Sequence, residues 1–142
     1  MKQIKQLLDA KGRDVLSIAP DASVLDAIRM MAEKSIGALV VIEGNKLAGI
    51  VTERDYARKV ILQGRGSDTT KVSEIMTAKV FTTTAEETVK KCMNLMTDRK
   101  IRHLPVLDGG NVIGIISIGD LVKAVIADQN EKIGHLEHYI SG

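Results

Sequence analysis

Gly49-Ile50-Val51-Thr52-Glu53-Arg54-Asp55 returns 65 residues later as Gly114-Ile115-Ile116-Ser117-Ile118-Gly119-Asp120. Both stretches read glycine, two apolar residues, Thr or Ser, two variable residues and Asp. The similarity extends in both directions: residues 15–63 align with residues 80–128 without a gap, and 12 of the 49 pairs are identical. A register kept over this length indicates a duplicated structural unit. Two copies of a unit that cannot bury its own apolar face are expected to pack on each other.

The composition indicates a globular protein with an aliphatic core and no disulfide bond. The chain has 142 residues, of which 44% are apolar and 2% aromatic, so we expect an aliphatic core. A net charge of +2 gives no global attraction to nucleic acid or to an anionic membrane. The lone Cys92 excludes an internal disulfide and fits a reducing compartment. With no apolar run near the ~20 residues of a spanning helix, and too short an apolar stretch at the N-terminus for a signal peptide, the sequence predicts a soluble, cytoplasmic protein.

Each repeat predicts the order strand, helix, strand, strand, helix, which makes a mixed α/β (α+β) fold of two β-α-β-β-α motifs. The predicted strands are Val15–Ile18, Ala38–Ile42 and Leu47–Val51 in the first repeat, and Val80–Thr83, Leu104–Leu107 and Val112–Ile116 in the second. Apolar residues at helical spacing predict helices from Val24 and from Val89, and closing helices over Glu53–Leu62 and Gly119–Ala127. A short helical lead-in is expected over Val72–Met76.

Three segments follow from this division. Residues 1–66 form the first motif with an N-terminal lead-in helix, residues 67–128 the second motif, and residues 129–142 a helical tail. The tail carries Ile133, Leu136 and Ile140 at near-helical spacing, so it needs a surface to cover, either on this chain or on a second copy.

The two signatures, together with Arg102-His103-Leu104-Pro105-Val106, resemble a tandem pair of CBS domains, the regulatory Bateman module named after cystathionine β-synthase. The resemblance covers about Leu7 to Ala127 and is to a stand-alone CBS pair, so no attached catalytic domain is expected. It implies two motifs packed through their sheets about a pseudo-twofold axis. It also implies clefts between the motifs that take AMP, ADP, ATP, NAD(H) or S-adenosylmethionine, dimerisation into a disc, and a non-enzymatic signalling role toward a downstream protein that the sequence does not name.

The residues suit an adenosine ligand in a definable way. A carboxylate can accept both vicinal hydroxyls of a ribose, and Asp55 and Asp120 are each expected in the first turn of a helix, where unpaired N–H groups favour anions. Thr52 and Ser117 could add a hydroxyl contact to phosphate, and Gly49 and Gly114 could let a ligand pass close to the backbone. An apolar slot for adenine and the remaining contacts are assigned to Ser17, Ile18, Ile36, Gly37, Ala38, Arg54, Arg58, Thr82, Thr83, Ile101, Arg102, His103 and Pro105.

A second interpretation of the Thr/Ser-x-x-Asp pairs is a helix cap, since this spacing is that of a capping box with Asp in place of Glu. The spacing alone favours the cap, whereas the resemblance favours the ribose, and the two roles are compatible. The repeats also differ in their basic residues: Arg102 and His103 replace Gly37 and Ala38, while Arg54 and Arg58 stand where the second repeat has Gly119 and Lys123. These are phosphate clamps or solvated surface charges; as clamps, they predict two clefts with different ligand preferences.

Other functions find less support. The three histidines and one cysteine lack the spacing of a metal site, and no nucleophile or acid–base set indicates an enzyme. The alternatives that remain are a nucleic-acid-binding module, which a pI of about 8.7 permits but scattered charge and rare aromatics argue against, and a purely structural dimerisation module.

Overall fold

The computed structural model describes residues 2–141, with side chains described for residues 2–134. Its contacts divide the chain into two compact units. The first unit, built on the first repeat, comprises Asp14–Phe81 and Gly109–Val112. The second unit, built on the second repeat, comprises the N-terminal segment through Arg13, Thr82–Asp108 and the chain from Ile113 onward.

The first unit contains a three-stranded sheet. Its elements are β1 (Ser17–Ile18), α2 (Val24–Lys34), β2 (Ala38–Glu43), β3 (Lys46–Thr52), α3 (Glu53–Tyr56), a π-helical turn (Ala57–Ile61) and α4 (Val72–Ile75). Strand β1 pairs in parallel with β2, and β2 pairs antiparallel with β3. Helix α2 begins at Ser23, whose hydroxyl accepts the Asp26 N–H at 3.1 Å. The core joins the apolar face of α2 to the sheet through Val24, Ala27, Met31, Leu39, Val41 and Val51.

The second unit contains α1 (Ile4–Lys11), α5 (Val89–Arg99), β4 (His103–Asp108), β5 (Asn111–Ser117) from Ile113 onward, and α6 (Ile118–Ser141). Its core consists of Val89, Cys92, Met96, Leu104, Val106, Ile116 and Leu121, together with residues of α1. The mixed helix–strand fold and the two motifs predicted from the repeat are therefore confirmed.

One predicted strand is wrong. Val80–Thr83 forms no strand but a single parallel bridge, Thr83 to Val106, made by Thr83 N–H to Pro105 O at 3.0 Å and Leu107 N–H to Thr83 O at 2.9 Å. The next step of a parallel ladder would need an N–H from residue 105, and proline has none. Val40 occupies the position of Pro105 in the first unit. Because it has an N–H group, Ser17 pairs with it and β1 forms.

The closing helices also differ from the prediction. The segment predicted as one helix over Glu53–Leu62 is divided into α3 and the π-helical turn. The helix predicted over Gly119–Ala127 and the predicted tail are one continuous helix of 24 residues, α6. Within the tail, Ile133 is exposed, and the side chains of Leu136 and Ile140 lie outside the described residues.

The lead-in segments are exchanged between the units. Helix α1 precedes the first repeat in sequence, but Ile4, Leu7 and Leu8 lie in the core of the second unit. Helix α4 precedes the second repeat, but Val72 and Ile75 lie in the core of the first unit. A division at residue 66 thus follows sequence order, whereas the contacts of both lead-ins follow the other repeat.

The exchange is symmetric in its hydrogen bonds. The N–H of Val89, the first residue of α5, donates to the carbonyl of Lys2 at 3.0 Å, and the N–H of Val24, the first residue of α2, donates to that of Thr70 at 2.8 Å. The first backbone N–H groups of a helix have no acceptor within the helix, and here the lead-in segment supplies one. Each lead-in therefore takes part in the fold of the unit on which it packs.

Candidate functional site

Asp55 is held by a reciprocal cap at the junction of β3 and α3. The Asp55 N–H donates to Thr52 Oγ1 at 3.1 Å, and the Thr52 N–H donates to Asp55 Oδ2 at 3.0 Å. The Thr52 hydroxyl also lies 3.1 Å from the same carboxylate oxygen. The sequence-based interpretation of this pair as a capping box is confirmed.

Ser117 and Asp120 repeat this geometry between β5 and α6. The Asp120 N–H donates to Ser117 Oγ at 3.1 Å, and the Ser117 N–H donates to Asp120 Oδ2 at 2.8 Å. Both carboxylates are thus fixed in one rotamer at the start of a helix. Their side chains remain 13% exposed at Asp55 and 20% exposed at Asp120, so solvent reaches both.

Each carboxylate has a lysine partner that the sequence analysis missed. Lys59 Nζ lies 3.1 Å from Asp55 Oδ1 and donates to the Ile75 carbonyl at 2.8 Å. Lys11 Nζ donates to Asp120 Oδ2 at 2.6 Å and to the Ile115 carbonyl at 2.7 Å. The i,i+4 spacing of Asp55 and Lys59 is a sequence signal that could have been used. Nothing local connects Lys11 with Asp120, because 109 residues separate them.

The electrostatics of the second unit centre on Asp120. Burial alone would raise the pKa of Asp120, but the hydrogen bonds from Lys11 and from the Ser117 backbone outweigh it, and the pKa lies below its usual value. The pKa of His103 is also lowered, first because burial disfavours the imidazolium and then because Lys11 and Arg102 are positive; Asp120 opposes this. His103 is therefore neutral beside an ionised Asp120 at neutral pH.

The structure brings several further candidate residues close to the caps. Ala38 is the register partner of Thr52, and the Gly37 carbonyl accepts the Glu53 N–H at 3.1 Å. In the second unit the Arg102 carbonyl accepts the Ile118 N–H at 2.8 Å. The start of β2 and the segment entering β4 therefore lie beside the signature of their own unit, as the ligand-binding assignment requires.

Other candidates are engaged elsewhere. Thr83 is buried, its hydroxyl lies 3.2 Å from Cys92 Sγ, and its N–H and C=O form the bridge to β4. Ile18 and Pro105 are buried as well, whereas Ser17, Arg54 and Arg58 are exposed. Thr82, Ile36 and Ile101 are partly exposed. The polar groups of Thr83 thus serve the fold, and a ligand role for the other side chains stays a prediction.

The expectation that Gly49 and Gly114 leave room for a ligand is wrong. A methyl group at Gly49 would lie 2.7 Å from the Thr77 carbonyl oxygen and 2.8 Å from Met76 Sδ. At Gly114 it would lie 2.7 Å from Leu8 Cδ2. The space above each glycine is filled by a lead-in segment of the same unit.

The described residues form neither a metal-binding cluster nor a helix suited to a membrane. No group of three or more His, Cys, Asp or Glu side chains is placed to hold a metal ion there. His135 and His138 lie outside the described side chains. No helix in the described part of the chain is both long and apolar enough to cross a membrane.

The family follows from comparison with known proteins. Residues 8–61 and 72–127 each match the CBS domain. The chain belongs to the CBS-domain family. A CBS domain-containing protein of Arabidopsis thaliana, CBSX3, mitochondrial, is 45% identical over 98% of this chain and 72% of its own length.

Solved CBS-domain structures have the same fold. A protein with CBS domains from Burkholderia ambifaria MC40-6 is 56% identical, with a TM-score of 0.87 over 90% of this chain and 96% of its own. The CBS domain pair of protein MJ0100, in complex with 5′-methylthioadenosine and S-adenosyl-L-methionine, is 25% identical, with a TM-score of 0.81 over 90% and 98%. The tandem CBS pair inferred from the repeat is thus confirmed.

Proposed function

We propose that this CBS pair is a non-catalytic sensor whose capped carboxylates, Asp55 and Asp120, accept the ribose hydroxyls of an adenosine-containing ligand. The ligand class comprises AMP, ADP, ATP and NAD(H), with S-adenosylmethionine as a further candidate. The observation that carries the proposal is the recurrence of one geometry in both units: a half-buried carboxylate, fixed by a Thr or Ser cap at a helix start, beside a lysine.

The cap supports the ribose role instead of competing with it. A carboxylate has about four lone-pair positions; the cap N–H occupies one of them at each site, and the Thr52 hydroxyl occupies a second one at Asp55. Fixing the rotamer lowers the entropy cost of binding, because the acceptor is already oriented. The two adenosine compounds in the MJ0100 complex agree with this ligand class.

The surrounding cations differ between the units, which supports unequal sites. Asp120 is paired with Lys11, and His103, which also lies close to Lys11 and Arg102, is neutral. Asp55 has Lys59 on its own helical segment, with the exposed Arg54 and Arg58 nearby in sequence. We therefore expect the two sites to rank mononucleotides and longer nucleotides differently.

A homodimer is the second part of the proposal. Ile61 and Leu62 at the end of the π-helical turn are 58% and 75% exposed, and Val122, Ile126 and Ile133 on α6 are 41%, 51% and 53% exposed. Within each unit, exposed large apolar side chains close together in sequence favour an interaction surface. The same patches are what favours the alternative of a purely structural dimerisation module. A cytoplasmic location stays a prediction, since one relative is named mitochondrial.

The test exploits a third cap in the chain. Ser23 and Asp26 have the same spacing at the start of α2 but lie outside the signatures. Asp55→Glu and Asp120→Glu keep a carboxylate for the cap but move it by one methylene, and Asp26→Glu is the matched control. We expect adenine nucleotides to raise the melting temperature of the protein and of Asp26→Glu without turnover, and to lose that effect in the double variant Asp55→Glu/Asp120→Glu. If the double variant responds like the control to every nucleotide, the ribose role is wrong.

Analytical ultracentrifugation tests the dimer separately. A monomer at micromolar concentration, with and without nucleotide, would contradict the dimer but leave the sensor proposal in place.

A further inference from the structure

We propose that Lys11 is a built-in competitor for the ligand at Asp120, and that ligand binding there loosens the C-terminal end of α1 by removing one of the two bonds that Lys11 makes to the second signature. The inference rests on the proposed ribose role of Asp120. Lys11 Nζ donates to Asp120 Oδ2 at 2.6 Å and to the Ile115 carbonyl at 2.7 Å. One ammonium group from the N-terminal helix thus ties together both ends of the second signature.

The competition follows from the acceptor count at Asp120. Within the described residues, both hydrogen bonds to its carboxylate end on Oδ2: the Ser117 N–H donates at 2.8 Å and Lys11 Nζ at 2.6 Å. A vicinal diol that donates one hydroxyl to each carboxylate oxygen needs a lone pair of Oδ2, and each oxygen has two. The Ser117 N–H is fixed in the backbone, so Lys11 is the donor that must leave. Its side chain is 37% exposed, so water can solvate the freed ammonium group.

The loosening is confined to the end of α1. Ile4 and Leu8 are fully buried and hold the first two turns of the helix in the core. Lys11 is the last residue of α1, and Gly12 follows with φ of 105°, a conformation that favours glycine. The chain then passes into the first unit between Arg13 and Asp14. The bond from Lys11 to Asp120 thus holds the helix end beside the segment that links the two units.

The first unit has no equivalent device. Lys59 lies four residues after Asp55, so its ion pair with Asp55 connects no lead-in segment to the signature, whereas Lys11 is part of the lead-in helix itself. The end of α4 is also fixed by the paired bonds between Ile50 and Thr77, at 3.0 and 2.9 Å. A ligand at Asp55 therefore loosens no lead-in segment. Of the two proposed sites, the one at Asp120 is coupled to the segment that links the units at Arg13 and Asp14.

The test uses adenosine, which presents the ribose without phosphate charge, and ¹⁵N NMR, which separates the two sites. Lys11→Met removes the competitor, and Lys5→Met is the matched control, because Lys5 is an exposed lysine of the same helix for which no salt bridge is recorded among the described residues. An exposed ion pair contributes up to about 1 kcal/mol, so we expect Lys11→Met to tighten adenosine binding about two- to fivefold at the Ser117 and Asp120 amides. Affinity at the Thr52 and Asp55 amides should not change.

A second readout follows the helix end. The Gly12 N–H donates to the Leu8 carbonyl at 2.7 Å, so its solvent exchange reports whether the last turn of α1 is closed. Adenosine should accelerate this exchange in the unmodified chain and in Lys5→Met. In Lys11→Met the exchange should be fast already and respond little to adenosine.

The outcomes separate this inference from the proposed function. Three results would show that Lys11 is not a competitor and would leave the ribose role of Asp120 standing. They are equal affinity for adenosine at the Asp120 amide in both lysine variants, weaker adenosine binding in Lys11→Met, and Gly12 exchange that does not change with adenosine. If neither adenosine nor AMP shifts the amide signals of Ser117 and Asp120 in any of the proteins, the ribose role at this site is wrong, and the competitor role of Lys11 is wrong with it.

Discussion

Leu8 lies directly over Gly114, and a methyl group at that glycine would meet Leu8 Cδ2 at 2.7 Å. In the first unit Gly49 is covered in the same way by Met76 and Thr77. The glycine that opens each signature therefore serves close packing of the exchanged lead-in against the strand. The two glycines differ in what lies against them. Gly49 faces a backbone atom, the Thr77 carbonyl oxygen, whereas Gly114 faces only the end of the Leu8 side chain.

Replacing these glycines should therefore have unequal effects. Over-packing costs roughly 1–3 kcal/mol, and we expect Gly49→Ala to lie at the upper end, because relief requires breaking the Ile50–Thr77 bridge. Gly114→Ala should cost less, because Leu8 can rotate. Urea unfolding measures both, and Leu8→Ala combined with Gly114→Ala should be less destabilising than the sum of the single changes. Equal losses for the two alanine variants would contradict this account of the packing.

The exchanged lead-ins predict that a core mutation acts on the distant repeat. Leu8→Ala should destabilise the second unit by about 2–5 kcal/mol, and Ile75→Ala the first unit by a similar amount. Cys92 is buried in the second core, and burial raises its pKa, so its thiol reacts only when that core opens. Labelling of Cys92 by a thiol reagent in native buffer should accelerate in Leu8→Ala and much less in Ile75→Ala. Equal acceleration would show that the two cores open together.

The contact between Lys11 and Asp120 should make part of the stability depend on acid pH. The folded-state pKa of Asp120 is lowered from 3.8, so its contribution is present above that value and is lost as the pH falls through the folded-state pKa. Lys11→Met should cost roughly 0.5–1 kcal/mol at neutral pH, the range of a partly exposed pair. The difference from the unmodified chain should shrink below about pH 4, as urea midpoints across the pH range would show. A constant difference down to pH 2.5 would mean that Asp120 is not the partner that matters.

His103 predicts a second pH dependence, at a higher pH. Its folded-state pKa lies below 6.5, so the unfolded chain takes up a proton first as the pH falls, and stability declines below pH 6.5 toward the folded-state pKa. Replacing it in His103→Gln removes that titration, so the decline between pH 7 and pH 5.5 should become shallower. Thermal unfolding at a series of pH values measures the slope. The same slope in both proteins would show that burial does not hold the imidazole neutral.

The repeat could be predicted because 49 aligned pairs keep one register without a gap, and the caps could be predicted because they depend on a short spacing. Thr52 and Asp55, or Ser117 and Asp120, stand three residues apart, and that distance is enough to define a cap. The missing strand before β4 also had a local cause, Pro105, whose lack of an N–H could have been used. By contrast, the exchange of α1 and α4 leaves the sequence pattern unchanged, because an amphipathic helix shows that it needs a partner without showing which one. The contact of Lys11 with Asp120 depends on that exchange and so could not be predicted.

Cutting this chain in the exposed loop around residues 64–68 would give two pieces that each lack part of their own core. The N-terminal piece would carry α1, on which the second unit packs, and the C-terminal piece would carry α4, on which the first unit packs. Each fragment would therefore hold what the other needs, and a protease that nicks the loop should leave a noncovalent complex in place of two free domains.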